Sequence, residues 1–145
     1  MRTWRITDAP TPEELAAVTD GVLTQGRALA AAAGGDARPI ACLVSEGAGI
    51  VAGASGRTEF NRLFVSFLWV APQFRSQGLG TEMLARLESA AIDRGCSDVL
   101  IETLSDRVAL LYRRLGYAPV ATIRYVGPFL RHTLIKPLGG STNSK

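Results

Sequence analysis

Residues 68–82 read Leu68-Trp69-Val70-Ala71-Pro72-Gln73-Phe74-Arg75-Ser76-Gln77-Gly78-Leu79-Gly80-Thr81-Glu82, and the rest of the chain is organised around them. An apolar run ends in a proline. A short turn follows with an arginine and two glycines spaced Gly-x-Gly, and apolar residues at helical spacing begin at once. The first amides of a helix have no partner inside it, and the helix dipole adds partial positive charge at the same place. Glycine lets a ligand approach the main chain closely. The stretch therefore suits a phosphate held by the amides of about Gln77 to Thr81. An ordinary strand-to-helix turn fits the same residues. No Gly-Lys-Ser/Thr follows, so the stretch is not a P-loop, and the third glycine of a dinucleotide fingerprint is missing.

Upstream, Leu63 to Val70 is nearly all apolar, the pattern of a central strand covered on both faces. Downstream, Gly78 to Arg94 reads as a helix with Leu79, Met83, Leu87 and Ala90/Ala91 on one face and Gly95 as its stop. Asp98 to Leu104 is the next strand. Ser105 or Asp106 caps a further helix, with Val108, Leu111, Tyr112 and Leu115 on one side. Two last strands, Tyr117 to Tyr125 and Phe129 to Lys136, flank Gly127-Pro128.

Before the central strand, Ile40 to Ser45 and Ile50 to Ser55 read as a hairpin around Glu46–Gly49, and Gly56 to Asn61 as a polar turn. At the N-terminus Trp4 to Thr7 alternates like a short first strand. Thr11-Pro12-Glu13-Glu14 is a capping box that opens a helix to about Ala31. Ala33 to Pro39 is a loop, and Gly139 to Lys145 reads as a flexible tail. The order predicts one α/β domain over residues 1–138, with a mixed, mostly antiparallel central sheet flanked by helices.

With 145 residues, 47% of them hydrophobic and 20% charged, the chain is long enough for a real core. No apolar run reaches the length of a membrane span, and the N-terminus lacks a signal-peptide pattern, so the expected location is the cytoplasm. Net charge is +3 and no basic block suggests a nucleic-acid face. Cys42 and Cys96 lie in apolar surroundings, outside any metal spacing, and read as reduced thiols; no metal is expected.

The stretch Leu68 to Gly80 resembles the acetyl-coenzyme A motif of the GNAT superfamily of N-acetyltransferases, Arg/Gln-x-x-Gly-x-Gly/Ala after a central strand. A second segment, Ala109-Leu110-Leu111-Tyr112-Arg113-Arg114-Leu115-Gly116-Tyr117, resembles the family's Ala-x-x-Phe-Tyr-x-x-Leu-Gly-Phe. The order of elements agrees over roughly residues 3 to 138. The resemblance implies a GNAT fold and acetyl transfer from acetyl-CoA (CoA, coenzyme A) to a primary amine.

It also implies roles. The amides of Gln77, Gly78, Leu79, Gly80 and Thr81 would hold the diphosphate, with Arg75 and Ser76 at the same turn. The pantetheine arm would enter where the fourth strand splays from the fifth at a bulge, against the main chain of Leu68, Trp69 and Val70. The Val70 amide would face the acetyl carbonyl, and Tyr112 would protonate the departing thiolate. On spacing alone Tyr112 reads first as a core aromatic on the apolar face of its helix. The family often has asparagine at the position of Asp106, and an ionised aspartate cannot donate a hydrogen bond.

The general base stays open. Glu102 leads by position, Glu59 is second, and His132, the only histidine, reads as structural or surface. Asn61, Arg62, Tyr125 and Arg131 are candidates for the acceptor side. Two other classes remain: a non-catalytic CoA-binding or regulatory module, and a nucleotide-binding protein. Open edges on the last strands make a homodimer plausible.

Overall fold

The structure, a computed structural model, describes residues 1–33 and 37–139. Six strands form one sheet: β1 (Arg38–Glu46), β2 (Gly49–Glu59), β3 (Arg62–Val70), β4 (Asp98–Thr103), β5 (Ala118–Arg124) and β6 (Leu130–Pro137). Their spatial order is β1-β2-β3-β4-β6-β5. Every neighbouring pair is antiparallel except β3 and β4. This is the mixed, mostly antiparallel sheet expected. The helices are α1 (Pro12–Ala33), α2 (Leu79–Asp93) and α3 (Asp106–Arg114). The parallel pair is joined through α2, because parallel strands need a long crossover.

The core lies on one face of the sheet. Helix α2 buries Met83, Leu84, Leu87 and Ala91 against Ala52, Ala54, Leu63, Val65, Val99 and Ile101. Alanines at 52 and 54 let the helix approach β2 closely. Helix α3 brings Tyr112 and Val108, with its C-cap Leu115, to the same cluster, so both helices share this face. The other face carries Leu43, Phe67 and Trp69, exposed at 60%, 75% and 49%. Coverage of Leu63–Val70 on both faces is therefore not found. Its outward positions hold aromatic residues, so the run reads as apolar throughout although the pleat alternates.

A bulge corrects a second expectation. Ser55 pairs with Phe67 but Gly56 with Val65, which leaves Ser66 unmatched. The extra residue changes the inward parity, from Leu63 and Val65 before it to Leu68 and Val70 after it. Gly56 belongs to this bulge and not to a turn. Strand β2 runs on to Glu59, and the turn is Phe60-Asn61, both at positive φ. A Cβ on Gly56 would lie 1.9 Å from the carbonyl oxygen of Phe64. Gly56→Ala is expected to lower stability by about 3 kcal/mol or more in denaturant titration, since backbone must move to admit it. Gly53→Ala is the control: its Cβ would press on the movable Leu43 Cδ2, at 3.3 Å, and make ordinary contact with the Cys42 carbonyl oxygen, at 3.6 Å, and should cost under about 1 kcal/mol.

Strands β3 and β4 pair only over Arg62–Phe64 and Asp98–Leu100. Arg62 clamps that end with two hydrogen bonds to Asp98, at 2.7 and 2.9 Å. Beyond Phe64 the strands part, and the resulting gap is the splay expected from the resemblance.

The N-terminus departs from expectation. Trp4 to Thr7 forms no strand, because no strand of the described chain lies beside it to supply hydrogen bonds. The capping box is present: Thr11 Oγ1 accepts from the Glu14 amide at 3.1 Å, and Glu14 Oε1 accepts from the Thr11 amide at 2.9 Å. Yet no residue of 1–29 is buried. The expected flexible tail, after Gly139, lies outside the described residues, as do residues 34–36 of the expected loop.

Candidate active site

The glycine turn is built as the sequence suggests. A single 3-10 turn, Pro72–Phe74, follows β3, and the chain then passes through Ser76 and Gly78, both at positive φ, into α2. Gly78 is the helix N-cap at φ +80°, a conformation that favours glycine. The first helical bond runs from the Glu82 amide to the Gly78 carbonyl at 3.0 Å. The amides of Gln77, Gly78, Leu79, Gly80 and Thr81 are left with no protein acceptor among the described residues. Gly80 has a different reason to be glycine. A Cβ there would make only ordinary contact with Leu68, at 3.7 Å, so what it keeps clear is access from outside.

Three arginines surround this turn. Arg75, Arg107 and Arg114 line a cavity of about 390 Å³ together with Ser76, Gly78, Leu79, Gly80 and Thr81. Sequence reading took Arg75 alone. Arg107 and Arg114 are seven residues apart on α3, two helical turns, so they share one face; that spacing was the available signal.

The cavity continues into a second one of about 420 Å³ that reaches Leu68, Trp69 and Val70 on one side and Tyr112 on the other. Pairing parity decides which main-chain groups of β3 are free. The Ala71 amide donates to the Val51 carbonyl at 2.8 Å, so hydrogen-bonded pairs with β2 fall at every second residue, and Trp69 opposite Gly53 is one. The polar groups of Trp69 are thus used by β2, while Leu68 and Val70 turn theirs to the gap. The Val70 carbonyl accepts from Arg75 Nε at 2.9 Å, which leaves the Val70 amide open.

Tyr112 is 6% exposed, and its ring packs on Tyr117 with centroids 5.8 Å apart. Its hydroxyl has no partner among the described residues, yet it is not sealed from the cavity it lines. Burial pushes its pKa up, so the phenol keeps its proton. Tyr117 is instead tied down, donating to Glu88 at 2.7 Å.

On the other face, at the same gap, Glu102 lines a cavity of about 580 Å³ with Arg57, Phe64, Phe67, Leu104 and Arg131. Arg131 donates to one oxygen of Glu102 and Thr133 to the other, at 2.6 Å. The Arg131 and Thr133 hydrogen bonds hold the Glu102 carboxyl below the usual range, so it is ionised near neutral pH. Arg131 also donates to Tyr125 at 3.0 Å.

The other candidates lie elsewhere. Glu59 is bound by Arg57 beside the Phe60-Asn61 turn, at the closed end of the gap, where Arg62 and Asn61 also sit. His132 pairs with Asp106 at 2.7 Å and ties β6 to the start of α3, whose N-cap is Ser105. Cys42 and Cys96 are free thiols outside these cavities.

Known proteins share this sequence pattern and this fold. The sequence profile of the acetyltransferase (GNAT) family matches residues 3–117. Blasticidin-S acetyltransferase of Streptomyces morookaense is 31% identical over 109 residues, covering 71% of this chain and 80% of that protein. The crystal structure of a protein assigned as an acetyltransferase from Agrobacterium tumefaciens superposes with a TM-score of 0.85 at 23% identity, over 94% of this chain and all of that one. An aminoglycoside 6'-N-acetyltransferase complexed with coenzyme A superposes at a TM-score of 0.61 with 18% identity, over 72% of this chain and 76% of that one.

Proposed function

The chain belongs to the GNAT family of acetyltransferases, and from that premise we propose that it moves acetyl from acetyl-CoA to a primary amine by direct attack in a ternary complex. The observation that carries this reading is the continuous cleft from the free amides of residues 77–81, past the open edge of β3, to the Tyr112 hydroxyl. The amides and the arginines Arg75, Arg107 and Arg114 bind the phosphates. Leu68 and Val70 hydrogen-bond the pantetheine arm as an added strand would. The Val70 amide stabilises the oxyanion as the amine adds to the thioester carbon. The carbon–sulfur bond then breaks, and Tyr112 gives its proton to the thiolate. No cysteine is needed as an acyl carrier, and neither thiol lines the cleft.

The acceptor enters from the face that carries Glu102. A carboxylate with a depressed pKa is a weak base, so Glu102 acts best by holding the cationic amine and passing its proton outward through water. Glu102→Gln should raise the acceptor KM about tenfold and leave acetyl-CoA affinity unchanged. An unchanged acceptor KM removes Glu102 from the site.

The test of the whole reading is thiol release from acetyl-CoA with a panel of amines, starting with blasticidin S because a 31% identical relative is named for it. Tight CoA binding with no turnover on any amine would favour the binding-module reading instead. The two free thiols fit a reducing compartment, which supports the cytoplasm. No described helix is long and apolar enough to cross a membrane.

A further inference from the structure

Two apolar surfaces of this chain have no partner among the described residues. The first is the stripe of α1. Leu15, Val18, Val22 and Leu29 repeat at helical spacing, yet all are exposed, Val18 at 69%, and Trp4 ahead of them is open as well. The hydrogen bonds of this segment stay inside it, between Arg5 and Glu14, Thr7 and Ala9, and Thr11 and Glu14. Most helical stability in proteins comes from packing an amphipathic face, and here nothing is packed on it. The second surface is the sheet face opposite α2 and α3, with Phe67, Trp69 and Leu43. Beside it the outer edge of β1 has no strand paired to it among the described residues.

We infer that the chain forms a dimer by arm exchange, in which α1 of each copy lies across the bare sheet face of the other and residues 4–7 run along the open edge of β1. Three observations select a second copy as the occupant. The arm is held away from its own sheet. The A. tumefaciens structure superposes at a TM-score of 0.85 over 94% of this chain, a score out of reach if the first 33 of 145 residues were placed differently there. Two arms on two faces would remove on the order of 1,500–2,000 Å² from water, the size of a specific interface. The exchange also gives the alternating Trp4–Thr7 a strand to pair with.

The bare face carries the cavity around Glu102 and Arg131, so the partner's α1 forms its missing wall. That part rests on the acetyl-transfer reading; the exchange itself does not, and mass alone reports it. In size-exclusion chromatography with light scattering the full chain should be a dimer at micromolar concentration. The double variant Val18→Asp/Val22→Asp, altered only on the exposed stripe, should be a folded monomer with unchanged acetyl-CoA affinity. It should lose about tenfold or more in kcat/KM for the acceptor. Phe67→Asp blocks the receiving face and should be monomeric too. Mixing the two variants leaves one intact arm on one intact face, and dimer should reappear; an arm packed on its own sheet could not produce that recovery. A monomeric wild type, a dimeric double variant, or no dimer on mixing each overturns the exchange. With the exchange upheld, an unchanged acceptor kcat/KM in the monomer overturns the wall.

Discussion

Replacing Tyr112 with phenylalanine is expected to lower kcat by about 10²–10⁴-fold while acetyl-CoA affinity stays within about twofold. The substitution removes one oxygen and keeps the ring. The ring packs on Tyr117 in the core, and the hydroxyl has no partner among the described residues to lose. The variant should therefore unfold at nearly the same denaturant concentration as the wild type, which separates a chemical effect from a structural one. At about 1.36 kcal/mol per factor of ten, the predicted loss is roughly 3–5 kcal/mol of transition-state stabilisation. The pH profile adds a second test. Burial raises the pKa of Tyr112, so the phenol stays protonated through neutral and mildly alkaline pH. Any loss of kcat from its ionisation should begin only above its ordinary value near 10. Full activity in Tyr112→Phe would leave Tyr112 as a packing residue, the other reading its spacing allows.

The second large effect is expected from Gly80→Glu. The side chain has room, since the Cβ would meet only Leu68 at 3.7 Å, and an acid in the first turn of a helix is favoured by the dipole. Stability should be unchanged or slightly higher. Acetyl-CoA affinity should fall by about 10²–10³-fold, because a fixed carboxylate then faces the diphosphate at the amides and like charges juxtaposed cost several kcal/mol. Calorimetry or thermal shift with CoA reads this directly. Gly80→Ala should lose much less, since it adds bulk without charge. Unaltered CoA affinity in Gly80→Glu would move the phosphate site away from this turn.

Several parts of this site are local and were legible in order along the chain. The helix start after Gly78, the Gly-x-Gly turn and the helix bearing Tyr112 each follow from glycine placement, capping and 3.6-residue spacing within a few residues. The arginines at 107 and 114 were legible in principle, by their seven-residue interval, but only the fold says that this face of α3 turns to the glycine turn. Glu102 was readable as a strand carboxylate; its anchoring by Arg131 and Thr133 is not, because those residues come from β6, some 30 residues away in sequence. The Gly56 bulge was missed because a glycine followed by polar residues has the composition of a turn. Only the approach of the Phe64 carbonyl shows what the glycine is for.

By itself the sequence determined the order of elements from α1 onward, the helix start at the Gly-x-Gly turn and the motifs shared with the family, since these rest on residues close in the chain. Tertiary structure decided three things. It set where β3 parts from β4, which of Leu68, Trp69 and Val70 keeps a free amide, and which face of the sheet stays bare. Each depends on pairing and parity between distant strands, and one unmatched residue, Ser66, changes every position after it. The sequence of Trp4–Thr7 carries a strand's alternation, but a strand exists only beside another strand, and no local pattern can supply one.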